Sequence, residues 1–253
     1  MSKPAERFSD RVPNYIKYRP SYPQELVDTL AKVCQLSSQS RIADVGSGTG
    51  IFSRLMLDKD CYVSGVEPNS NMREAAEQQF AGYNKFCSID GQSERTGLDD
   101  SSIDLIAAAQ SFHWFEAGDA RQEFLRILKP GGYVALIWNQ RKIEQPFQTE
   151  YDSMLRKFAP DYSAVNHMNI SADDIQNFFS PNKVSKFEFE YSQNFDRAGF
   201  LGRMQSSSYV PKTGTGAHTR LMRAAENLFN RYQSGEKISF EYNSVLYLAQ
   251  FPN

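Results

Sequence analysis

The residues best equipped for chemistry begin at Asp44, in the run Asp44-Val45-Gly46-Ser47-Gly48-Thr49-Gly50. Glycines let a backbone turn tightly and approach a ligand with no Cβ in the way. A Gly-x-Gly-x-x-Gly loop seats a pyrophosphate on the N-terminus of the helix that follows. This loop departs from that pattern twice. Its third glycine, Gly50, comes two residues after Gly48, and the position three after Gly48 is Ile51. It also opens on Asp44, whose carboxylate repels a pyrophosphate and attracts a cation. No lysine follows the glycines, which excludes a Walker-type phosphate loop.

Glu67 stands 21 positions after Gly46. That is close to the offset of about 20 residues at which a strand-end carboxylate receives ribose hydroxyls. Together the loop and Glu67 ask for a nucleoside that carries positive charge and no pyrophosphate. S-adenosylmethionine, with its sulfonium and ammonium groups, meets that description, and a nicotinamide dinucleotide does not.

A second set of residues suits an acceptor. Trp114 and Trp138, the two tryptophans of the chain, fall after the fourth and fifth strand-like runs. Ligands of open α/β sheets bind at those strand ends, so the two rings suit walls around a transferable methyl; interior packing is the other reading of Trp138. His113 suits a general base, or equally a positioning hydrogen bond. Residues 196–235 hold Arg197, Arg203, Lys212, Arg220, Arg223 and Arg231 against Asp196 and Glu226, a local charge of +4 in a chain of net charge -2. A basic cap there would steer an acid and hold it by bidentate pairing. Leu221, Ala225, Leu228 and Tyr232 form an apolar stripe that leaves Arg223 and Arg231 on a solvated helix face. Arg197 and Arg203, near Phe200 and Tyr209, are therefore the better acceptor contacts. Near the start, Tyr15, Tyr18, Arg19 and Tyr22 form an aromatic and basic arm, read as a lid over the cofactor or a fixed strap on the sheet.

The elements that must hold these residues alternate. Strand-like runs occur at Arg41–Val45, Cys61–Val66, Lys85–Asp90, Ile103–Ala109 and Tyr133–Trp138, with helical patterns at Ile51–Asp58, Ser70–Phe80 and Asp119–Leu128 between them. Lys129-Pro130-Gly131-Gly132 reads as a stop and turn before the fifth run. Such alternation predicts a parallel sheet in a doubly wound α/β fold with helices on both faces. A helix is expected after Pro23, and Pro13, Pro20 and Pro23 are expected to break any continuous helix in the arm. Further on, helices are expected at Pro146–Phe158, Ala172–Phe179 and His218–Gln233, and strands at Val184–Tyr191 and Ile238–Ala249, seven strands in all.

Composition narrows the function. With 28 basic and 30 acidic residues, the chain lacks the basic character of a protein that grips nucleic acid through phosphates. No apolar run approaches the roughly 20 residues of a spanning helix. Charges at Lys3, Glu6 and Arg7 stand where a secretory signal would be apolar, so a cytoplasmic location is expected. Cys34, Cys61 and Cys87, with the scattered His113, His167 and His218, suit neither a disulfide framework nor a zinc site, and no metal is expected.

Six pieces in order now carry a family resemblance: Tyr18-Arg19-Pro20-Ser21-Tyr22-Pro23, the glycine loop, Val66-Glu67-Pro68-Asn69, Ile89-Asp90-Gly91, Gln110-Ser111-Phe112-His113-Trp114-Phe115, and Lys129-Pro130-Gly131-Gly132 with Trp138-Asn139. The chain resembles class I S-adenosylmethionine-dependent methyltransferases of the small-molecule branch that includes trans-aconitate methyltransferase-like proteins. The resemblance covers residues from about 15 to 139. It implies a Rossmann-like seven-stranded mixed sheet, order 3-2-1-4-5-7-6 with the last strand antiparallel. It implies one domain: a lid arm and helix over 1–35, a cofactor core over 36–139, and the last two strands with a helical substrate cap over 140–253.

The same resemblance implies the roles. Gly46, Ser47, Gly48 and Gly50 would line the methionine part of the cofactor, with Asp44 near its amino group and Arg19 over it. Glu67 would accept both ribose hydroxyls, with Pro68 beside it. Met72 would lie against adenine, unless it is core packing. Asp90 would accept from the adenine amino group, unless Asp90-Gly91 is only a turn, and Gly91 and Gln92 would add backbone contacts. Gln110 would reach the methionine end through its carbonyl. His113 and Trp114 are the catalytic candidates, and Tyr18, Trp138, Arg203 and Tyr209 the substrate candidates. The expected partner is a small, anionic acceptor methylated on a carboxylate or hydroxyl oxygen, without nucleic acid or membrane, in a monomer or weak homodimer. A protein or nucleic-acid methyltransferase, and a non-catalytic cofactor-binding module, are the alternatives.

Overall fold

The computed structural model of the chain describes residues 12–163 and 170–251. The beginning of the arm and His167 lie outside the described residues. Seven strands, β1 (Arg41–Val45), β2 (Tyr62–Val66), β3 (Phe86–Ile89), β4 (Ile103–Ala109), β5 (Leu128–Arg141), β6 (Ser185–Phe195) and β7 (Ile238–Gln250), form one sheet. Their order is β3-β2-β1-β4-β5-β7-β6. β7 runs antiparallel to both of its neighbours, and the other pairings are parallel. The expected fold class and order are those observed.

Central strands covered on both faces read as nearly continuous apolar runs, as in Ile103–Ala109. On one face Ile42, Leu105, Ala107 and Ile137 pack against α2 (Gln24–Val33) and α3 (Ile51–Leu57). On the other, Ala43, Ile106, Val134 and Leu136 pack against α5 (Ala117–Ile127) and α7 (Ala172–Phe179). α4 (Ser70–Gln79) begins on an Asn69 cap, whose side chain accepts from the Met72 amide at 3.1 Å.

A third cluster lies beyond the sheet's core. It gathers α6 (Pro146–Phe158), α8 (Arg197–Gln205) and α9 (Gly216–Tyr232) around Phe200, Phe240 and Tyr242. β5 makes this possible by running past the end of β4. Ala109 pairs with Ile137, while Asn139 and Arg141 pair only with Ser244 and Tyr242 of β7. The overhanging β5–β7 ribbon carries the cap over the strand ends.

Three expectations change. α1 (Val12–Tyr18) is a helix despite the prolines. Pro13 stands in its first turn, where the missing amide has no partner to lose, and the helix ends before Pro20. α8 escaped notice because Gly199 and Gly202 interrupt its apolar pattern. Its Asp196 cap accepts from the Gly199 amide at 2.7 Å. Lys129–Gly132 lies inside β5 and does not precede it. Leu128 pairs with Ile103 and Tyr133 with Leu105, so the four residues between bulge out with Gly131 at φ 76°. Among the described residues, no helix is long and apolar enough to cross a membrane.

Candidate active site

The loop after β1 takes its shape from left-handed glycines. Gly46 sits at φ 71°, and a Cβ there would meet Ser111 Cβ at 2.5 Å. Ser111 cannot move away, because its hydroxyl donates to the Val45 carbonyl at 2.6 Å. Gly50 sits at φ 86° against the Phe80 ring and starts α3. Its role is packing, and it lines neither cavity described below.

Glu67 follows β2 and is tied to the loop. The Gly48 amide donates to Oε2 and the Asn69 amide to Oε1, each at 2.9 Å. Burial raises its pKa, against the pull of these two amides. Asp44, 1% exposed, ends on the α3 side of the sheet. Ser53 Oγ donates to its Oδ2 at 2.6 Å, and Oδ1 has no partner in the protein. Burial pushes this carboxyl up to about 7, with the nearby Glu67 adding to the rise. A buried carboxylate with an idle oxygen is costly, and a cationic ligand relieves it.

Two cavities meet at this loop. The larger, about 550 Å3, is lined by Gly48, Glu67, Pro68, Met72, Gly91, Gln92 and Trp114, a volume in the usual range for a small-molecule site. Its charged lining residues are Glu67, Glu94 and Glu116, with no cation among them. That electrostatic character favours a positively charged ligand and opposes a pyrophosphate. The smaller cavity, about 130 Å3, is lined by Arg19, Asp44, Ser47, Asn139, Arg141, Tyr162, Arg203, Tyr209 and Tyr242. Tyr15, Gly46 and Gln110 line both, so the two open onto a common junction. Gln110 holds φ 60° there, a strained backbone at a strand end of the kind found at functional sites.

With this geometry in view, the comparisons are specific. Residues 43–136 match the family described as Methyltransferase domain. Residues 43–136 thus carry the pattern of a methyltransferase domain. An uncharacterized methyltransferase of Schizosaccharomyces pombe is 30% identical over 151 residues, 59% of each chain. One of Mycobacterium tuberculosis is 33% identical over 134 residues, 53% of this chain and 52% of the relative. The match thus spans little more than half the length of these relatives. A malonyl-[acyl-carrier protein] O-methyltransferase of Acetivibrio thermocellus is 25% identical over 244 residues, 88% of this chain and 85% of that one. In fold, the YcgJ protein of Bacillus subtilis superposes with a TM-score of 0.59 at 18% identity, covering 91% of this chain and 100% of its own. The phosphoethanolamine N-methyltransferase 2 of Haemonchus contortus, in complex with phosphomonomethylethanolamine and S-adenosylhomocysteine, gives 0.56 at 14%, covering 97% of this chain and 58% of its own.

Several expected site residues come together in this fold and others do not. Asp90 turns outward, 73% exposed, where Arg73 donates to it at 3.0 Å while also donating to the Glu67 carbonyl at 2.8 Å. The larger cavity is lined by its neighbours Gly91 and Gln92 instead. Trp138 is a core residue, wedged between Phe112 and Tyr247 with ring centres 6.1 and 6.0 Å away. Alternation along β5 explains this: Trp138 faces α5 and α7, and its neighbours Asn139 and Arg141 face the site. Trp114 lines the cofactor-sized cavity and not the smaller one. His113 tilts against Trp114, with ring centres 4.9 Å apart, and lines neither cavity. Tyr18 lies against Gly202 of α8 and also lines neither.

Asn139, Arg141, Tyr162 and Tyr242 are lining residues that the sequence reading did not place, whereas Tyr15, read as part of the arm over the cofactor, lines both cavities. A signal existed for two of them, since a strand that buries Trp138 must turn Asn139 and Arg141 to the opposite face. Tyr162 and Tyr242 come from the turn after α6 and from β7, remote in sequence, and only the fold brings them here.

Proposed function

We propose that this chain transfers the methyl group of S-adenosylmethionine to an oxygen of a small carboxylic acid. The observation that carries the reading is the pair Arg19 and Arg203 in the smaller cavity. Burial lowers the Arg19 pKa, and the guanidinium of Arg203 lowers it further, so the two cations repel each other in a dry space. The Nε of Arg203 is buried without an acceptor in the protein. An anionic group there would offset the repulsion felt by Arg19, and guanidinium is well shaped to receive it.

The residues fit the cofactor. Asp44, with its idle oxygen, would face the ammonium group. Glu67 would accept from the ribose, and Met72, Gly91 and Gln92 would enclose the base. Arg19, which lines the smaller cavity with Asp44, would face the carboxylate of the methionine part. When bound, the cofactor supplies a methyl group on a sulfonium that leaves readily. The protein's own work is to align an oxygen with that methyl and keep water out, which is worth on the order of 7–11 kcal/mol in favourable cases. Among the described residues, no histidine or cysteine lines the smaller cavity. A carboxylate is already ionised near neutral pH and needs no base, in keeping with His113 standing apart. The Acetivibrio relative is named for O-methylation of a malonyl group, a skeleton ending in a carboxylate, and this supports the same chemistry here.

The test uses methyl-labelled cofactor with short dicarboxylic and tricarboxylic acids beside catechols and amines. A methyl ester releases its label as volatile methanol in mild alkali; an ether or an N-methyl amine retains it. Volatile label from an acid is expected. Label held in an N-methyl amine, in protein or in nucleic acid would overturn the proposal, as would cofactor binding without transfer to any of them.

A further inference from the structure

We infer that Arg141 anchors the anionic end of the acceptor, and that Asp152 is the residue that positions its guanidinium. The inference rests on the anionic acceptor proposed above.

Arg141 is the last residue of β5, on the overhang that pairs only with β7. There it lines the smaller cavity with Arg203. Its guanidinium is held on several sides. The carbon end lies 4.7 Å from the centre of the Tyr151 ring. Nη2 donates to Asp152 Oδ1 at 3.2 Å and to the Tyr162 hydroxyl at 2.6 Å. Nε is buried and has no acceptor in the protein.

Asp152, on α6, is the node behind it. Tyr162 donates its hydroxyl to Oδ1, and Arg156 Nε donates to Oδ2 at 2.6 Å. Burial works to raise the Asp152 pKa, but Tyr162, Arg156 and Arg141 outweigh it and hold the group below the ordinary aspartate value. One carboxylate therefore serves two guanidiniums. Arg156 is 55% exposed and water satisfies it, whereas the Arg141 side chain is 14% exposed. The better shielded of the two guanidiniums is thus Arg141, the one that lines the cavity.

A purely structural ion pair between β5 and α6 would explain Nη2 but not the rest. Joining two elements is achieved as well or better by apolar packing, and it leaves no reason to keep an arginine lining a cavity. Fixing the fork from behind does have a use in binding. A guanidinium already held in place loses little side-chain freedom when an oxyanion arrives. Tyr162 extends the arrangement, since its ring meets Tyr209 edge to face at 4.9 Å and joins the Arg141 node to the cap.

The experiment titrates short mono- and dicarboxylic acids, succinate first, into the full chain saturated with S-adenosylhomocysteine. It compares the parent with Arg141→Lys, Arg141→Met, Asp152→Asn, Asp152→Glu and Arg203→Met. Loss of hydrogen bonds to a charged group should weaken acid binding by about ten-fold or more in both Arg141 variants. Asp152→Asn should weaken it several-fold with Asp152→Glu recovering part of the loss, and the S-adenosylhomocysteine dissociation constant should stay within about two-fold. Should Asp152→Asn fail to fold, Tyr162→Phe removes one hydroxyl from the same node and is expected to weaken acid binding in the same direction. If the parent binds no acid, both this inference and the proposed acceptor class fall. If the parent binds acid, Arg203→Met loses it and the Arg141 variants do not, this inference alone is overturned. Equal weakening of acid and S-adenosylhomocysteine in every variant would also overturn it, since a general loss of structure would then explain the data.

Discussion

The Gly48 amide donates to Oε2 of Glu67 at 2.9 Å, which fastens the glycine loop to the end of β2. One carboxylate therefore shapes the loop through its amides, and in the proposed function it would also receive the ribose through its remaining lone pairs. Glu67→Ala should weaken S-adenosylmethionine binding by more than ten-fold, since charge-assisted hydrogen bonds contribute about 1.5–3 kcal/mol. Calorimetry on the folded variant checks this. An unchanged dissociation constant would remove Glu67 from the cofactor site.

Asp44 makes cofactor binding depend on pH. Its ordinary value is 3.8 and burial lifts it to about 7 in the folded chain. A raised carboxyl binds more protons folded than unfolded, so its contribution to stability is greatest below about 4 and declines as pH rises through 7. The empty protein should therefore lose thermal stability across that window relative to Asp44→Asn. A cationic ligand reverses the preference and draws the proton off. Affinity for S-adenosylmethionine should rise with pH up to about 7 and then level, with proton release visible by calorimetry in buffers of different ionisation enthalpy. Equal pH profiles for the parent and Asp44→Asn would refute this.

Glu123 governs the opposite wall at a distance. Arg126 above all, helped by the Thr96 hydroxyl and amide, holds its pKa to about 2 against the cost of burial. Its Oε1 accepts from the Thr96 amide at 2.8 Å and from Oγ1 at 2.6 Å, and this fixes the turn that begins at Gly91 and Gln92. For a lowered carboxyl the stabilisation is full above the unfolded value of 4.5 and is lost as pH falls through about 2. Glu123→Gln should lower stability by roughly 3 kcal/mol at neutral pH, an upper figure from the shift alone. It should also flatten the acid limb of the unfolding curve between pH 4.5 and 2. Denaturant melts at both pH limits check the sign.

Sequence reading went furthest where one residue answers to local rules. β1 and β4 were legible to the residue, because turn-forming residues bound short apolar runs. The lining of the larger cavity was nearly as legible, since Gly46, Gly48, Glu67, Met72, Gly91 and Gln92 all follow strand ends in one βαβ series. It failed where facing direction or distant packing decides. Trp138 and Arg141 are three residues apart, yet the strand's pleat sends one into the core and the other to the cavity. Asp90 looked like a free acceptor because nothing in the sequence announces that Arg73, seventeen residues earlier on α4, reaches across to it.

His113 offers a sharp test of the acceptor chemistry. It lines neither cavity, so His113→Asn should retain turnover within about three-fold at saturating substrates. Trp114→Ala, in contrast, should weaken cofactor binding, because the indole lines the larger cavity. A hundred-fold drop in kcat for His113→Asn, with binding unchanged, would restore the histidine as a base and point to a hydroxyl acceptor.

Gly202 sets the position of α1 over the glycine loop. A Cβ at this residue would come within 2.2 Å of the Tyr18 ring. From the same arm, Arg19 Nη2 donates to the Ser206 carbonyl at 3.0 Å, so α8 holds α1 at two points. The arm in turn presents Tyr15 to the junction of both cavities, its ring 4.8 Å from the Arg19 guanidinium. In a packed site an added methyl that forces a ring aside costs typically 1–3 kcal/mol. Gly202→Ala should thus lower the melting temperature, and it should raise the apparent dissociation constants of cofactor and acid together, because Tyr15 and Arg19 move with Tyr18. Shrinking the ring should offset the clash, so the double variant Gly202→Ala with Tyr18→Leu is expected to recover part of both losses. Additive losses in the double variant would show that the two residues do not act through one contact, and that α1 is held over the site by something else.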